Sequence, residues 1–337
     1  MSTIKAWAAQ ESKGVLQAID YDAGELGLEE VEVAIEHCGI CHSDLSMLEN
    51  EWGVTRYPFV PGHEAVGRVV ALGENAKGVK LGQRVGVGWN AASCMACRSC
   101  LGGDQHLCAK VQPTLFGRHG AFAERVRVHW GWAIPVPDGM ASSDVGPLLC
   151  GGITVFYPLL HYSIKPTQRV GVVGIGGLGH LALKFLRAWG CEVTAFSSSE
   201  SKHDEAMSFG AHRVVSSKDK AAMRAINGSL DLILNTVSAP LPWDALFATL
   251  APKGRLHFVG SALEPVPVMP MRLIQRQLDV SGSPTGSRGA IETMLDFAAR
   301  HQIGPQTERF AMRDVNAAMD HLRAGNARYR IVLDADF

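Results

Sequence analysis

Alternating apolar and polar positions dominate the first 150 residues of the chain and predict short β-strands. Val31–Ile35 alternates apolar with acidic residues, which is typical of a strand with one buried and one exposed face. Glu64–Leu72 and Gln83–Val87 predict further strands, and glycines separate these segments. The pattern therefore predicts a β-rich N-terminal domain.

From about Lys165 onward the pattern changes to strands that alternate with helices. The predicted segments are the strands Arg169–Val173, Glu192–Phe196, Arg213–Val215, Leu230–Val237 and Arg255–Val259, the helices Leu178–Trp189 and Ser201–Phe209, and a helix that ends at Lys253-Gly254. Such alternation predicts a parallel sheet with helices on both faces. The helix predicted at Ala290–Arg300 and the tail Tyr329–Leu333 lie outside the repeat, and we expect them to return to the first domain.

Composition narrows the class of protein. A chain of 337 residues is expected to form two domains, and 47% hydrophobic with 19% charged residues is typical of a globular protein. Lys and Arg number 32 against 33 Asp and Glu, which argues against nucleic-acid binding. The least polar stretch, Leu148–Leu160, is too short to span a bilayer, and Met1–Gln10 does not resemble a signal peptide. We therefore expect a cytoplasmic protein that does not bind membranes.

Four cysteines lie within fifteen residues, in the run SCMACRSCLGGDQHLC: Cys94, Cys97, Cys100 and Cys108. Four thiolates on one loop suit a closed tetrahedral zinc site. Two disulfides and an iron–sulfur cluster are the alternatives. A protein kept in a reducing compartment uses such clusters for metal, which favours zinc.

A glycine-rich turn follows the predicted strand Arg169–Val173 and opens the next helix. Its residues are Gly174, Gly176, Gly177, Leu178 and Gly179. Strand, glycine turn and helix together indicate a dinucleotide site, in which the backbone approaches the pyrophosphate and the helix N-terminus supplies N–H groups. Tight packing alone is the other interpretation of these glycines.

The end of the second predicted strand indicates which dinucleotide binds. NAD sites place a carboxylate about twenty residues after the glycines, whereas this chain has Ser197, Ser198 and, further on, Lys202. Hydroxyls and a lysine suit the 2′-phosphate of NADP(H), although Glu200 argues the other way. The serines could also cap the helix that begins near Ser201.

Three further metal-ligand candidates, Cys41, His63 and Cys150, are scattered along the chain. Two cysteines and one histidine form a recognised catalytic zinc set with one open position. Spacing does not show that the three residues converge. Each has a simpler interpretation: Cys150 as a core residue, His63 as a loop histidine, and Cys38 with Cys41 as a redox pair.

Several motifs resemble those of the zinc-dependent medium-chain alcohol dehydrogenases, in the cinnamyl alcohol dehydrogenase-like branch. They are CGICHSD, PGHE, the four-cysteine loop, PLLCGGITV, VGIGGLGHLALKF and the SSS segment, in the family order over nearly the whole chain. CGICHSDLSM, NEWG, GPLLCGGITVF and the ending ARYRIVLDADF resemble bacterial broad-specificity NADPH-dependent aldehyde reductases. The resemblance implies a mixed α/β fold: a GroES-like β-rich catalytic domain (1–150 and 288–337) with a zinc lobe near 89–112, and a Rossmann cofactor domain with a doubly wound parallel sheet (151–287).

The resemblance also implies roles for individual residues. Cys41, His63 and Cys150 would hold the catalytic zinc, and Glu64 would lie beside it as a transient ligand. Ser43 would pass a proton to the bound oxygen, and His42 would face the cofactor phosphates. A departure from many relatives is Ser46, which stands where a histidine completes the proton relay. Trp52 and Trp89 would line the substrate pocket, with Phe116 as a weaker candidate.

The expected function is therefore a reversible, zinc- and NADPH-dependent reduction of aldehydes, aliphatic or aromatic and over a broad range, to primary alcohols, with two zinc ions per chain. The alternatives are an NAD-linked alcohol dehydrogenase that acts mainly as an oxidase, and a non-enzymatic zinc-stabilised binding protein. The resemblance further implies a homodimer. Val266–Met269 is a candidate edge strand at its interface, although prolines at 265, 267 and 270 argue against a strand.

Overall fold

The computed structural model describes residues 3–260 and 264–337. Its contacts divide the chain into a first unit, Met1–Ile153 with Thr285–Phe337, and a second unit, Thr154–Pro284. The chain thus leaves the first unit after Ile153 and re-enters it at Thr285. The sequence analysis placed these two domain boundaries after residue 150 and at residue 288.

The described residues form strands in both units. They are β1 (Thr3–Ala8), β2 (Gln17–Asp22), β3 (Glu30–Ile40), β4 (Ala65–Leu72), β5 (Arg84–Val87), β6 (Asn90–Ala92), β7 (Gln112–Pro113), β8 (Arg125–His129), β9 (Ile134–Pro135), β10 (Arg169–Val173), β11 (Glu192–Ser197), β12 (Arg213–Ser216), β13 (Leu230–Asn235), β14 (Leu250–Phe258), β15 (Asp279–Gly282), β16 (Thr307–Ala311) and β17 (Arg330–Asp334).

The helices are mostly short. They are α1 (His42–Leu48), α2 (Arg98–Leu101), α3 (Ser142–Pro147), α4 (Ile153–His161), α5 (Gly179–Trp189), α6 (His203–Ser208), α7 (Lys220–Ala225), α8 (Trp243–Thr249), α9 (Pro270–Arg276), α10 (Arg288–His301) and α11 (Val315–Arg323). A π-helical turn, Leu148–Gly152, joins α3 to α4, and 3₁₀ turns lie at Gln105–Leu107, Trp130–Trp132, Glu200–Lys202 and Met312–Asp314.

The first unit is built on a seven-stranded sheet in the order β16-β17-β3-β4-β5-β9, with β8 also paired to β3. The C-terminal strand β17 runs antiparallel to β3, so the tail of the chain does return to this unit. Most residues of the long strand β3 are buried, and Val31 and Val33 pack into a core that includes Phe59 and Phe122. The end of β3 is thereby fixed against β4 and β17.

The second unit is a six-stranded parallel sheet in the order β12-β11-β10-β13-β14-β15. Numbered within the unit, this order is 3-2-1-4-5-6, the doubly wound arrangement of dinucleotide-binding domains. The central strands β10 and β13 are mostly apolar and buried, as expected where both faces of the sheet are covered. The predicted mixed α/β class, with one β-rich domain and one Rossmann domain, is confirmed.

Two predicted elements differ from the structure. The helix expected to end at Lys253-Gly254 is α8, which ends at Thr249, and the following residues begin β14. Pro252 is unfavourable inside a helix, and the register between β13 and β14 shifts between Leu230 and Leu232, which accommodates the extra residues as a bulge. Val266–Met269 is not a strand, and β15 forms the edge of the sheet instead.

The helical run Ser142–His161 passes a length and hydropathy test for a membrane span. However, 83% of its most apolar window is buried inside the protein, as expected for a core helix.

Candidate metal and cofactor sites

Cys41 is fixed where β3 ends and α1 begins. It is the N-cap residue of α1, and its backbone N–H donates to Oδ2 of Asp44 at 2.8 Å. An acidic side chain in the first turn satisfies an N–H group that the helix leaves without a partner. Asp44 therefore sets the turn that carries Cys41.

His63 lies in the loop before β4 and is fully buried. Its Nδ1 is 3.0 Å from Oδ1 of Asp44, and the same oxygen accepts the backbone N–H of Gly62 at 2.9 Å. A carboxylate on one ring nitrogen leaves the other nitrogen available as a metal ligand. Nε2 of His63 points to Sγ of Cys150, 3.3 Å away.

Cys150 comes from the π-helical turn between α3 and α4. Such turns insert an extra residue into a helix and are frequent at functional sites. Sγ of Cys150 lies 3.8 Å from Sγ of Cys41, so the structure brings together three candidates that are far apart in sequence. Cys38 stays outside this group, and its thiol donates to the carbonyl of Gly39.

Glu64 completes the cluster and is also fully buried. Its Oε1 accepts a hydrogen bond from Nη2 of Arg330 on β17, while Oε2 has no hydrogen-bond partner among the described residues. Gly39 makes room for this carboxylate, because a Cβ there would lie 2.1 Å from Oε2. A buried carboxylate oxygen without a partner is costly, and a cation beside it would remove that cost.

The donor set fits zinc. The ligand atoms of Cys41, His63, Glu64 and Cys150 all lie within 4.8 Å of one another. Thiolates at about 2.3 Å from a tetrahedral zinc lie about 3.8 Å apart, which matches the separation of the two sulfurs. The hydrogen bond from Cys150 lowers the pKa of the Cys41 thiol well below its ordinary value; burial opposes this, and the positive charge of Arg330 reinforces it.

Ser43 lies beside this cluster, with its hydroxyl oxygen 3.7 Å from Sγ of Cys41. Its neighbour His42 is exposed on α1, and Ser46 is buried in the same helix. The hydroxyl of Ser43 is thus near the candidate metal site, and the assignment of His42 to the cofactor phosphates stays a prediction.

The predicted pocket residues form an aromatic cluster of Trp52, Trp89 and Phe116. The ring of Trp89 meets the ring of His63 edge-on, with centroids 4.9 Å apart. Phe116 and Trp52 contact Trp89 with centroid distances of 5.8 and 6.2 Å. The aromatic cluster is half-buried and packs directly against a candidate metal ligand.

The four cysteines of the loop converge without forming disulfides. Sγ of Cys108 lies 3.5 Å from Cys94 and 3.8 Å from Cys97, and Cys94 lies 3.9 Å from Cys100. These separations match the edges of a zinc–thiolate tetrahedron, about 3.8 Å, and are far longer than the ~2.05 Å of a disulfide. Backbone N–H groups of Ala96 and Cys97 lower the pKa of Cys94 to about 6, which favours the thiolate.

The glycine turn has the geometry that a dinucleotide loop requires. Gly174 has φ +88°, and a Cβ on Gly179 would lie 1.9 Å from the carbonyl oxygen of Gly174. A Cβ on Gly176, in contrast, would meet no described atom within 4 Å. Two glycines thus serve the turn and the close packing, while Gly176 faces open space that a pyrophosphate could occupy. Gly177 and Leu178 complete the turn before α5 begins.

The residues predicted for the 2′-phosphate lie at the end of β11 and just after it. Ser197 ends the strand, and its hydroxyl is engaged with the backbone of Ser199. Ser198 is exposed. Nζ of Lys202 donates to the carbonyl of Ile175 at 2.9 Å, which brings the lysine against the glycine turn.

Two residues that contact the metal cluster were not predicted from the sequence. Asp44 was not assigned a role near the metal, although a carboxylate near a ligand histidine is a recurrent arrangement. Arg330 gave no local signal, because it lies 266 residues from Glu64 along the chain.

Comparison with known proteins shows two family matches. Residues 27–138 match the alcohol dehydrogenase GroES-like domain, and residues 177–300 match the zinc-binding dehydrogenase family.

Individual relatives match over nearly the whole chain. The chain is 50% identical to the aldehyde reductase AdhA of Synechocystis, over 98% of both chains. It is similar to a cinnamyl alcohol dehydrogenase from Sorghum bicolor, with a TM-score of 0.94, 37% identity and coverage of 99% and 98% of the two chains. A cinnamyl alcohol dehydrogenase from Helicobacter pylori complexed with NADP(H) matches with a TM-score of 0.90 and 30% identity, over 98% of each chain.

Proposed function

Because the chain belongs to the zinc-dependent medium-chain alcohol dehydrogenases, in their cinnamyl alcohol dehydrogenase-like branch, we propose that it reduces aldehydes to primary alcohols with NADPH. The reaction is reversible, and its substrate is a small molecule. The observation that carries the proposal is the convergence of Cys41, His63 and Cys150, with Glu64 beside them. Three protein donors with one remaining position are typical of a catalytic zinc rather than a structural one.

Bound zinc would polarise a carbonyl oxygen as a Lewis acid, and the nicotinamide would supply the hydride. The protein's own residues supply orientation and the proton. Asp44 holds the His63 ring so that Nε2 faces the cluster. The hydroxyl of Ser43 lies next to the candidate metal ligand Cys41. From this position it donates the proton that converts the carbonyl oxygen into the hydroxyl of the alcohol. With serine at position 46, the outer path of that proton runs through water.

The aromatic cluster defines the substrate class. Trp52, Trp89 and Phe116 present half-buried rings next to His63. Apolar walls of this kind bind aliphatic and aromatic aldehydes better than polyols, since sugar hydroxyls would lose their hydrogen bonds to water.

NADPH is proposed over NADH. Ser197 ends β11, Ser198 is exposed in the loop that follows, and Lys202 lies against the glycine turn through its bond to Ile175. A lysine and hydroxyls attract a 2′-phosphate, whereas the carboxylate typical of NAD sites would repel it. The relative from Helicobacter pylori that was solved with NADP(H) supports this choice.

We further propose a cytoplasmic homodimer. The edge strand β15 and the helix α9 expose apolar side chains; Val280 is 40% and Ile274 is 69% exposed. Apolar surface beside an open strand edge favours association with another protein surface.

A panel of aldehydes and alcohols, assayed with NADPH and NADH, tests the proposal. We expect two zinc ions per chain, higher kcat/KM with NADPH, and activity with aromatic and aliphatic aldehydes. Cys150→Ala should lose one zinc and the activity but keep the zinc of the four-cysteine loop. Full activity of Cys150→Ala would overturn the assigned site, and a preference for NADH would overturn the cofactor assignment.

A further inference from the structure

The second unit contains a fully buried histidine that the proposed reaction does not use. His180 lies in the first turn of α5, directly after the glycine turn. Its Nδ1 is 3.0 Å from the carbonyl oxygen of Gly176, and its own backbone N–H donates to the same oxygen at 3.0 Å. One residue thus makes two hydrogen bonds to one carbonyl of the glycine turn.

The protonation of the ring follows from this contact. A carbonyl oxygen only accepts hydrogen bonds, so Nδ1 must carry the hydrogen. Burial lowers the pKa of His180 to about 4, and the ring is therefore neutral near neutral pH. The bond from Nδ1 to Gly176 is consequently present throughout the pH range in which the enzyme would work.

The two bonds fix the orientation of the Gly176–Gly177 peptide. In a trans peptide the carbonyl and the following N–H point in opposite directions. Because the Gly176 oxygen is held toward α5, the N–H of Gly177 points away from the helix body, at its N-terminal end. Unpaired N–H groups in this position form an anion cradle, and Gly176 faces open space there.

We propose that His180 is a positioning residue for the pyrophosphate of the cofactor: it holds the Gly176 carbonyl so that the Gly177 N–H faces the phosphate. The inference rests on the proposed function, in which this turn binds NADPH. In a purely structural role, the ring would contribute packing alone, and its hydrogen bond would not affect cofactor binding. The ring also packs edge-on against Phe209, with centroids 5.6 Å apart, and an apolar side chain would preserve that packing.

Two variants separate these roles. His180→Leu keeps apolar volume but removes the donor, whereas His180→Asn places an amide N–H close to the position of Nδ1. We expect the Kd for NADPH, measured by fluorescence titration, to rise about three- to tenfold in His180→Leu, as for the loss of one hydrogen bond. His180→Asn should stay within about twofold of wild type. In both variants KM for NADPH should move with Kd, while kcat at saturating NADPH stays unchanged.

His257 supplies a matched control, because it is a second buried histidine of the same unit. Its ring nitrogens contact the hydroxyls of Ser281 and Ser283 rather than the glycine turn. His257→Leu should alter the unfolding midpoint without altering the Kd for NADPH.

The outcomes distinguish the inference from the proposed function. A folded His180→Leu with wild-type Kd, or an equal loss in His180→Asn and His180→Leu, would overturn the inference. If His180→Leu fails to fold, ¹⁵N NMR of histidine-labelled wild type decides: the Nδ1–H tautomer is expected, and the Nε2–H tautomer contradicts the proposal. Wild-type protein that binds neither NADPH nor NADH would instead defeat the proposed function.

Discussion

Replacing Asp44 with asparagine tests the metal site through a residue that does not itself contact the metal. Asp44 is fully buried and accepts three hydrogen bonds. Oδ2 receives the N–H of Cys41 at 2.8 Å, while Oδ1 receives the N–H of Gly62 at 2.9 Å and faces Nδ1 of His63 at 3.0 Å. One carboxylate therefore orients two of the three candidate zinc ligands.

The size of the effect follows from this arrangement. Asparagine has one acceptor oxygen, so its NH₂ group must face at least one donor in either orientation. The less damaging orientation keeps the oxygen toward His63 and sets the NH₂ against the N–H of Cys41. We expect unfolding to become easier by about 1–3 kcal/mol. Zinc affinity should fall about 10- to 100-fold, as for other partners of ligand histidines.

Chelator competition measures this effect directly. Zinc is titrated out of wild type and Asp44→Asn, and the metal that remains on each chain is counted. The variant should release its catalytic zinc at lower chelator concentration, while the zinc of the four-cysteine loop is retained as in wild type. Asp231→Asn is the control, because Asp231 is a partly buried carboxylate that bonds Arg169 in the other unit. A folded Asp44→Asn with wild-type zinc affinity would refute the reasoning.

Three further predictions concern other parts of the molecule. Cys100→Ser should lose the zinc of the loop and lower the thermal midpoint by several degrees, yet retain aldehyde reduction in the fraction that stays folded; zinc counts with activity per folded chain check this. Lys202→Ala should raise KM for NADPH about tenfold while leaving KM for NADH within twofold, because a charge-assisted phosphate contact is lost; equal changes for both cofactors would contradict it. Burial alone would raise the pKa of Asp231. The bonds from Arg169 outweigh burial and lower this pKa below its ordinary value near 3.8. The carboxylate therefore stabilises the fold above that pH, and the advantage of wild type over Asp231→Asn in urea unfolding should shrink as pH falls below about 4; an advantage that grows in acid would contradict it.

Predictions from the sequence succeeded where the controlling interactions are local. The strand at Arg169–Val173 is observed with the predicted bounds, because its apolar run and the glycine turn after it are both short-range signals. The four cysteines converge as their spacing implied. The convergence of Cys41, His63 and Cys150 came from family resemblance, since no periodicity relates residues on three different elements.

The remaining features depend on contacts that the sequence pattern does not encode. Asp44 could be identified as a cap from its position, but its bond to His63 requires the loop before β4 to fold back onto α1. Arg330 lies on β17, near the C-terminal end of the chain. It reaches Glu64 only because β17 pairs with β3. The end of α8 was misplaced because the residues after Thr249 join β14, where a register shift against β13, a tertiary adjustment, accommodates them.

The two metal sites also differ in how zinc binding is linked to folding. Cys94 and Cys108 are 14 residues apart, whereas Cys41 and Cys150 are separated by 109. Closing the longer separation in an unfolded chain costs about 2 kcal/mol more, from the logarithmic dependence on loop length. The unfolded chain therefore retains part of its affinity for zinc at the four-cysteine loop, which reduces the stabilisation gained there. Zinc at the candidate catalytic cluster binds the unfolded chain more weakly, so a larger share of its binding free energy stabilises the fold.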